Sequence, residues 1–358
     1  MTRITLTDVE AAVLGGAVLG GGGGGSLENG RALGRLALER GAVELVDLAD
    51  IPEDSTLVTC SYVGSPAAEH ICVRPEAYIR ALHMLQEGCG VRAEGLITNE
   101  CGGTAAVNGW LQAATLVLPV VDAPCNGRAH PTGVMGSMGL HALPGYVSHQ
   151  AAAGGDAAAG RYVELLVSGG LEAASALVRQ GALQAGGMVA AARNPVTAGY
   201  VSTHGAPGAI RQCIALGQVM LATQPQGGEA ICRAAAQYLG GEIAAVETVH
   251  NVNLRSTGGF DVGVVQAGAY TLDFWNEYMT LECAGERLAT FPDLIMTLDA
   301  VYGMPVTTAQ VQVGQQLALL VVPRERLLLG AGMFYDELYL PAEQALGKRI
   351  RNMGGDER

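Results

Sequence analysis

The chain reads as an α/β protein in two parts, an amino-terminal α/β region with a mostly parallel sheet and a β-rich (α+β) carboxyl-terminal region. Three observations predict this. Short apolar runs alternate with helical patterns through residues 1–168, as βα units on a parallel sheet do. Past Ser168, Gly169 and Gly170 the pattern changes to three helical segments and then to strand-like runs. The length, 358 residues, exceeds what one compact core usually holds. The expected units are therefore 1–168, carrying the candidate site loops, and 169–358, β-rich with a helical insert.

Thr7 and Glu10 are spaced as a capping box and predict a helix from about Asp8. Gly15 and Gly16 should weaken it, since a glycine costs a helix about 1 kcal/mol relative to alanine. A glycine run, Gly20 to Gly25, follows, and Ser26 is placed to cap a second helix to about Arg40. The runs around 44–48 and 56–62 read as buried strands. Helices near 75–88 and 104–115 then alternate with strands near 94–98 and 117–122, and a further strand covers 161–167. Helical patterns at 171–185, 207–221 and 228–239 come next. Strand-like runs dominate from Glu242 to Leu340, and no repeat period of a solenoid or propeller is visible.

Composition narrows the function. With 49% hydrophobic and 15% charged residues the chain can bury a large interior, so a disordered protein is excluded. A net charge of −13 repels phosphate backbones and anionic lipid, which argues against nucleic acid and membrane surfaces as partners. The first ten residues lack the apolar core of a secretory signal, and the most apolar stretches are broken by Gly or Pro. A cytoplasmic location is expected. Eight cysteines without a C-x-x-C pair point to reduced thiols.

The glycine run satisfies a G-x-G-x-x-G template trivially, but it follows a helix and lacks a Walker lysine or a ribose-binding acid, so no nucleotide is expected. It is either a loop that approaches a ligand or a packing turn. The densest chemistry lies in two strand-to-helix connections, Thr98 to Gly103 and Asp122 to Pro131. Both follow strands expected side by side in one parallel sheet, so both loops should face one crevice at its carboxyl edge. Tyr62, Gly64, Ser65 and Pro66 are expected to form a third wall.

Cys125 is the candidate nucleophile, since a nearby cation or imidazole such as Arg128 or His130 lowers a thiol's pKa. The alternative is a buried, inert thiol. His130, held extended before Pro131, is a candidate proton shuttle or metal ligand, or else a structural histidine. Glu100 and Asp122 end their strands where a carboxylate can orient a histidine, take a proton or hold a metal, and either can instead cap a helix. Gly102 and Gly103 offer N–H groups for an anion or oxyanion. Arg128 is a candidate carboxylate clamp, or an internal partner of Glu100 or Asp122. Cys101 is a second thiol, and His204 reaches the crevice only if the two regions close on each other.

These loops, taken with other stretches, resemble the S-methyl thiohydantoin desulfurase family. The residues that carry the resemblance are the glycine run, Gly64-Ser65-Pro66, Glu100-x-Gly102-Gly103 followed by Asn108, and Val121-Asp122-Ala123 through Gly127-Arg128-Ala129-x-Pro131. Asn276-Glu277 and Phe291-Pro292-Asp293-Leu294-Ile295 extend it into the second half. Pro124, His130 and Thr132 depart from the family pattern, and the Cys125/His130 combination suggests a specialised branch. The resemblance implies an α/β region joined to a β-rich one, and hydrolysis at C2 of a five-membered thiohydantoin-type ring, giving a hydantoin plus sulfide or thiol. The expected catalytic group is Cys125, His130, Glu100 and Asp122, with Arg128, Gly102, Gly103, Asn108 and Ser65 binding substrate. In a metal version, zinc or another divalent ion is held by ligands drawn from Cys125, His130, Cys101 and His204, with Glu100 or Asp122 as further donors. The partner is a small cyclic amide or thioamide, and the protein is expected to be a homo-oligomer. The rival expectation is a non-catalytic binding or assembly partner of a hydantoinase- or oxoprolinase-type enzyme.

Overall fold

Two eight-stranded sheets organise the chain in a computed structural model that describes residues 1–65 and 67–350. Pro66 of the expected third wall and the end of the 169–358 unit lie outside the described residues. The first sheet begins with β1 (Thr2–Arg3), followed by α1 (Leu6–Leu19), α2 (Leu27–Arg40), β2 (Glu44–Val46) and β3 (Thr56–Gly64). Next come α3 (Pro75–Cys89), β4 (Gly95–Thr98), α4 (Trp110–Leu116), β5 (Val120–Val121), β6 (Ser148–Gly154) and β7 (Val163–Gly169). After α5 (Leu171–Gln184), β8 (Met188–Thr197) re-enters the same sheet, whose order is β1-β2-β5-β4-β3-β8-β6-β7. The run β2-β5-β4-β3 is parallel and the pairs beyond it are antiparallel. Ser168, Gly169 and Gly170 thus mark the end of β7, after which the chain first completes this sheet.

Three helices, α6 (Ala198–His204), α7 (Ala209–Thr223) and α8 (Gly228–Leu239), lead to the second sheet. It is antiparallel throughout and built from β9 (Glu242–Thr257), β10 (Phe260–Ala267), β11 (Tyr270–Trp275), β12 (Glu277–Cys283) and β13 (Glu286–Thr290). It is completed by β14 (Leu294–Asp299), β15 (Pro305–Val306) and β16 (Gln316–Val322), in the order β13-β12-β11-β10-β9-β16-β14-β15. Past Pro323 the chain leaves strand geometry for short 3-10 turns and α9 (Leu340–Leu346), where strand-like runs were expected. Its Leu328 carbonyl accepts from Gly127 N–H and its Gly330 N–H donates to Asn126 Oδ1, so this segment serves as a cover rather than a sheet edge.

The first helix corrects two expectations. Its cap is Thr5, whose hydroxyl accepts from Asp8 N–H while Asp8 accepts from Thr5 N–H, a capping box two residues before the expected one. Gly15 and Gly16 do not interrupt α1, which is buried on every side from Ala11 to Leu19. A side chain at Gly15 would overlap the Cys213 carbonyl, and one at Gly217 the Ala11 carbonyl. The glycines let α1 and α7 pack backbone to backbone, and this contact offsets their helix cost. No helix among the described residues is long and apolar enough to cross a membrane. All eight cysteines are free thiols.

Candidate active site

β4 and β5 lie side by side and parallel, so the loops that follow them leave the same edge of the sheet. They meet as the sequence leads one to expect: Cys125 N–H donates to Thr98 O, and His130 N–H donates to Glu100 Oε2 at 3.2 Å. Between them and the second sheet lies a cavity of about 250 Å³. Glu100, His130, Arg193, Tyr62 and the glycine run line it from one side, and Asp261, Asn276, Glu277 and the turn at Thr307 and Thr308 from the other.

The glycine run is the seam of this arrangement. Gly21, Gly22, Gly24 and Gly25 have φ of 54°, 94°, 71° and 84°, conformations that favour glycine. Their carbonyls bind both halves of the molecule: Gly21 O accepts from Tyr278 N–H, Gly22 O from Thr308 N–H, and Gly24 O from Thr104 and Ala105 N–H. A methyl group at Gly23 would overlap the Glu277 carboxylate. The run packs as a turn, and Gly22 to Gly25 also stand in the lining of the cavity.

Glu100 is 7% exposed, and loss of water pushes its carboxyl up to about 7, with the His130 backbone N–H and the Arg193 charge countering in part. Glu277 opens β12, just after Asn276, which takes a left-handed φ of 60° and accepts from Asp261 N–H through its side chain. Burial, and then the Glu100 charge, hold the Glu277 carboxyl well above the usual range, and its Oε2 has no partner among the described residues. The His130 ring packs on Gly136, and its Nε2 lies 3.1 Å from Glu100 Oε2 without the alignment of a hydrogen bond. Burial first, and the Arg193 charge second, lower its pKa to about 3, so the imidazole is neutral at physiological pH.

The other expected site residues stand around this cavity, not in its lining. Cys125 is 1% exposed among apolar side chains, its Sγ 3.3 Å from Thr59 Oγ1, under the cover that passes through Gly330. Burial pushes its thiol up to about 11, which leaves it protonated, and no hydrogen bond joins it to His130. Arg128 is fully buried and serves the protein: it donates to the carbonyls of Ala129, Pro292 and Asp293 and stacks 4.4 Å over Phe291. Asp122 Oδ1 accepts from Ile210 N–H and its Oδ2 lies 3.3 Å from Arg211 Nε, so it caps α7; burial raises its pKa to about 6. Gly102 and Gly103 are the close-approach partners of Gly24 and Gly25. Asn108 donates to Asn99 Oδ1, which stands in the lining, and Ser65 Oγ donates to the lining residue Asp261.

The expected metal donors do not gather. Cys101 Sγ lies 3.6 Å from Ala209 O, and His204 stacks on Tyr200. Among the described residues no three His, Cys, Asp or Glu side chains are grouped as a metal site needs. Two arginines that the sequence reading passed over, Arg179 and Arg193, line the cavity. A lone arginine inside the apolar run Met188 to Val196 was the available signal, because a strand buried on both faces holds a charge only for a reason.

The sequence matches the S-Me-THD-like N-terminal domain over residues 7–158 and the S-Me-THD-like C-terminal domain over residues 171–331. Among solved structures, the crystal structure of a protein from Chromobacterium violaceum aligns with a TM-score of 0.67 at 21% identity, covering 90% of this chain and 92% of that one. At that identity the likeness speaks to the fold. A search of curated proteins found no match.

Proposed function

The chain belongs to the S-Me-THD-like family, and we propose that its cavity hydrolyses an S-methylthiohydantoin-type ring at C2, with Glu100 as base and Glu277 as acid. The observation that carries this reading is the carboxyl pair on opposite walls of one cavity. Environments that separate the proton affinities of two such groups divide the roles between them. Glu100, with a pKa of about 7, is available as carboxylate near neutrality, while Glu277 keeps its proton. The volume of about 250 Å³ falls below the roughly 300–1,000 Å³ of sites for drug-sized ligands and suits one small ring with a short substituent.

In this reading, water adds to C2 as Glu100 takes one of its protons and returns it to the ring nitrogen. The C2–S bond then breaks, and Glu277 gives its proton to the departing methanethiolate. As the C2 hydroxyl becomes the carbonyl it loses its proton to Glu277, so both carboxyls are restored and a hydantoin and methanethiol leave. Neutral His130 holds Glu100 through its backbone N–H and closes the wall behind it. Cys125 has no covalent part, because its thiol is protonated and outside the lining.

A panel of 5-substituted S-methylthiohydantoins, thiohydantoins and hydantoins, followed by thiol release and mass spectrometry, tests the proposal. Methanethiol release that is insensitive to chelator and lost in Glu100→Gln is expected. No turnover across the panel would overturn it in favour of a binding subunit, and chelator-sensitive turnover would overturn the carboxylate mechanism.

A further inference from the structure

Three arginines stand around the cavity, Arg128 and Arg193 buried and Arg179 half-buried, and the protein supplies acceptors to Arg179 and, at all but Nη2, to Arg128. Arg128 is bound by backbone carbonyls, as described. Arg179 donates to Gly259 O and Pro131 O and lies 3.8 Å over the Phe260 ring. Arg193 differs. It is 4% exposed, on β8 between Thr59 of β3 and Gln150 of β6, yet its side chain donates no hydrogen bond and forms no ion pair with any described residue. It lines the cavity, and room for its guanidinium is kept by Gly133, where a methyl group would come within 2.6 Å of Nη1.

A buried cation without an acceptor is costly, and such a group calls for an explanation, of which a bound anion is one. The nearest acids do not supply it. Asp261 is occupied by the hydroxyls of Ser65 and Ser256 and the N–H of Ala67. Glu100 is engaged with the His130 backbone, and Glu277 is not within ion-pair distance of Arg193. A guanidinium presents parallel N–H groups that match a carboxylate in two bonds at once.

We propose that Arg193 binds a carboxylate on the substrate, so that the substrate class is a thiohydantoin-type ring bearing an acidic side chain. The assignment rests on the ring-hydrolysis reading for the identity of the ring, and on Arg193 alone for the acid. A carboxylate there would supply the acceptor that the protein does not give this guanidinium. An uncharged isostere would leave the guanidinium bare.

The test compares a 5-carboxymethyl S-methylthiohydantoin with its 5-carboxamidomethyl isostere, and the corresponding two hydantoins as binding probes by calorimetry. A preference for the acid of at least about 100-fold in kcat/KM is expected, because a built charge-assisted site rejects an analogue lacking its partner. In Arg193→Met the ratio should fall to near one, with thermal stability of the ligand-free protein held or raised, since a bare buried charge has been removed. Gly133→Ala, which keeps the arginine but displaces it, should lower the ratio in between. Equal turnover of acid and amide, or a preference that survives in Arg193→Met, would overturn the carboxylate site while leaving the ring reaction standing. If neither compound is turned over but the acidic hydantoin binds and Arg193→Met abolishes that binding, the reaction is overturned and the site supported. Failure of both probes to bind would overturn the site as well.

Discussion

The loops after β4 and β5 leave one sheet edge side by side, yet they do different work. The first, through Glu100, puts a carboxylate into the cavity, and Asn99 stands beside it. The second turns inward from Asp122 to Arg128, where a cap, a buried thiol and a backbone-bound guanidinium hold the protein together, and reaches the cavity only at His130. The difference comes from what lies over each loop. The glycine run lies against the first without filling the space in front of Glu100, whereas the segment from Leu327 to Gly330 covers the second. Polar and thiol residues therefore collect at one sheet edge, and the covering segment decides which of them reach the cavity.

The comparison breaks first at Glu100. Glu100→Gln should lower kcat by about 10³-fold, within the range that removal of a general base costs. The wild-type kcat/KM should fall as pH drops through about 7, the value to which burial raises this carboxyl, because the base is then protonated. The stability signature has the opposite sense. The folded-state pKa of about 7 stands above 4.5, so Glu100 costs the fold nothing below about 4.5 and costs progressively more as pH rises to 7. Glu100→Gln should accordingly raise stability at pH 8 more than at pH 5, by an amount on the order of 3 kcal/mol. Equal urea midpoint shifts at the two pH values would remove the reading of Glu100 as a buried, strained base.

On the structural loop the largest effect falls on stability. Arg128→Met leaves backbone carbonyls unpaired in the interior and should cost about 3 kcal/mol, read from the urea midpoint. Gly23→Ala, which pushes on the Glu277 carboxylate, should cost about 2 kcal/mol and lower kcat about 10-fold with KM changing less. Cys125→Ala gives the smallest effect, about 1 kcal/mol of stability and turnover within about 2-fold of wild type. Abolished turnover in Cys125→Ala would return the second loop to the chemistry.

Much of the site was legible in residue order. The parallel strands before positions 99 and 122, the glycine run, and the meeting of Glu100 with His130 all follow from local patterns and from the rule that open sheets gather ligands at the carboxyl edge. Arg193 left a fainter mark, a charge inside an alanine-rich strand. Glu277 was visible only as part of a recognised stretch, because an acid at the start of a strand has many ordinary explanations.

The sequence alone determined the alternation of strands and helices, the two-part α/β and β-rich architecture, and the edge at which polar residues collect, because backbone propensity and hydrophobic period are local quantities. Tertiary structure decided the rest. Proton affinity and reactivity depend on what surrounds a group, and here the surrounding atoms come from segments more than 160 residues away: Gly330 over Cys125, Pro292 against Arg128, and the Glu100 charge facing Glu277.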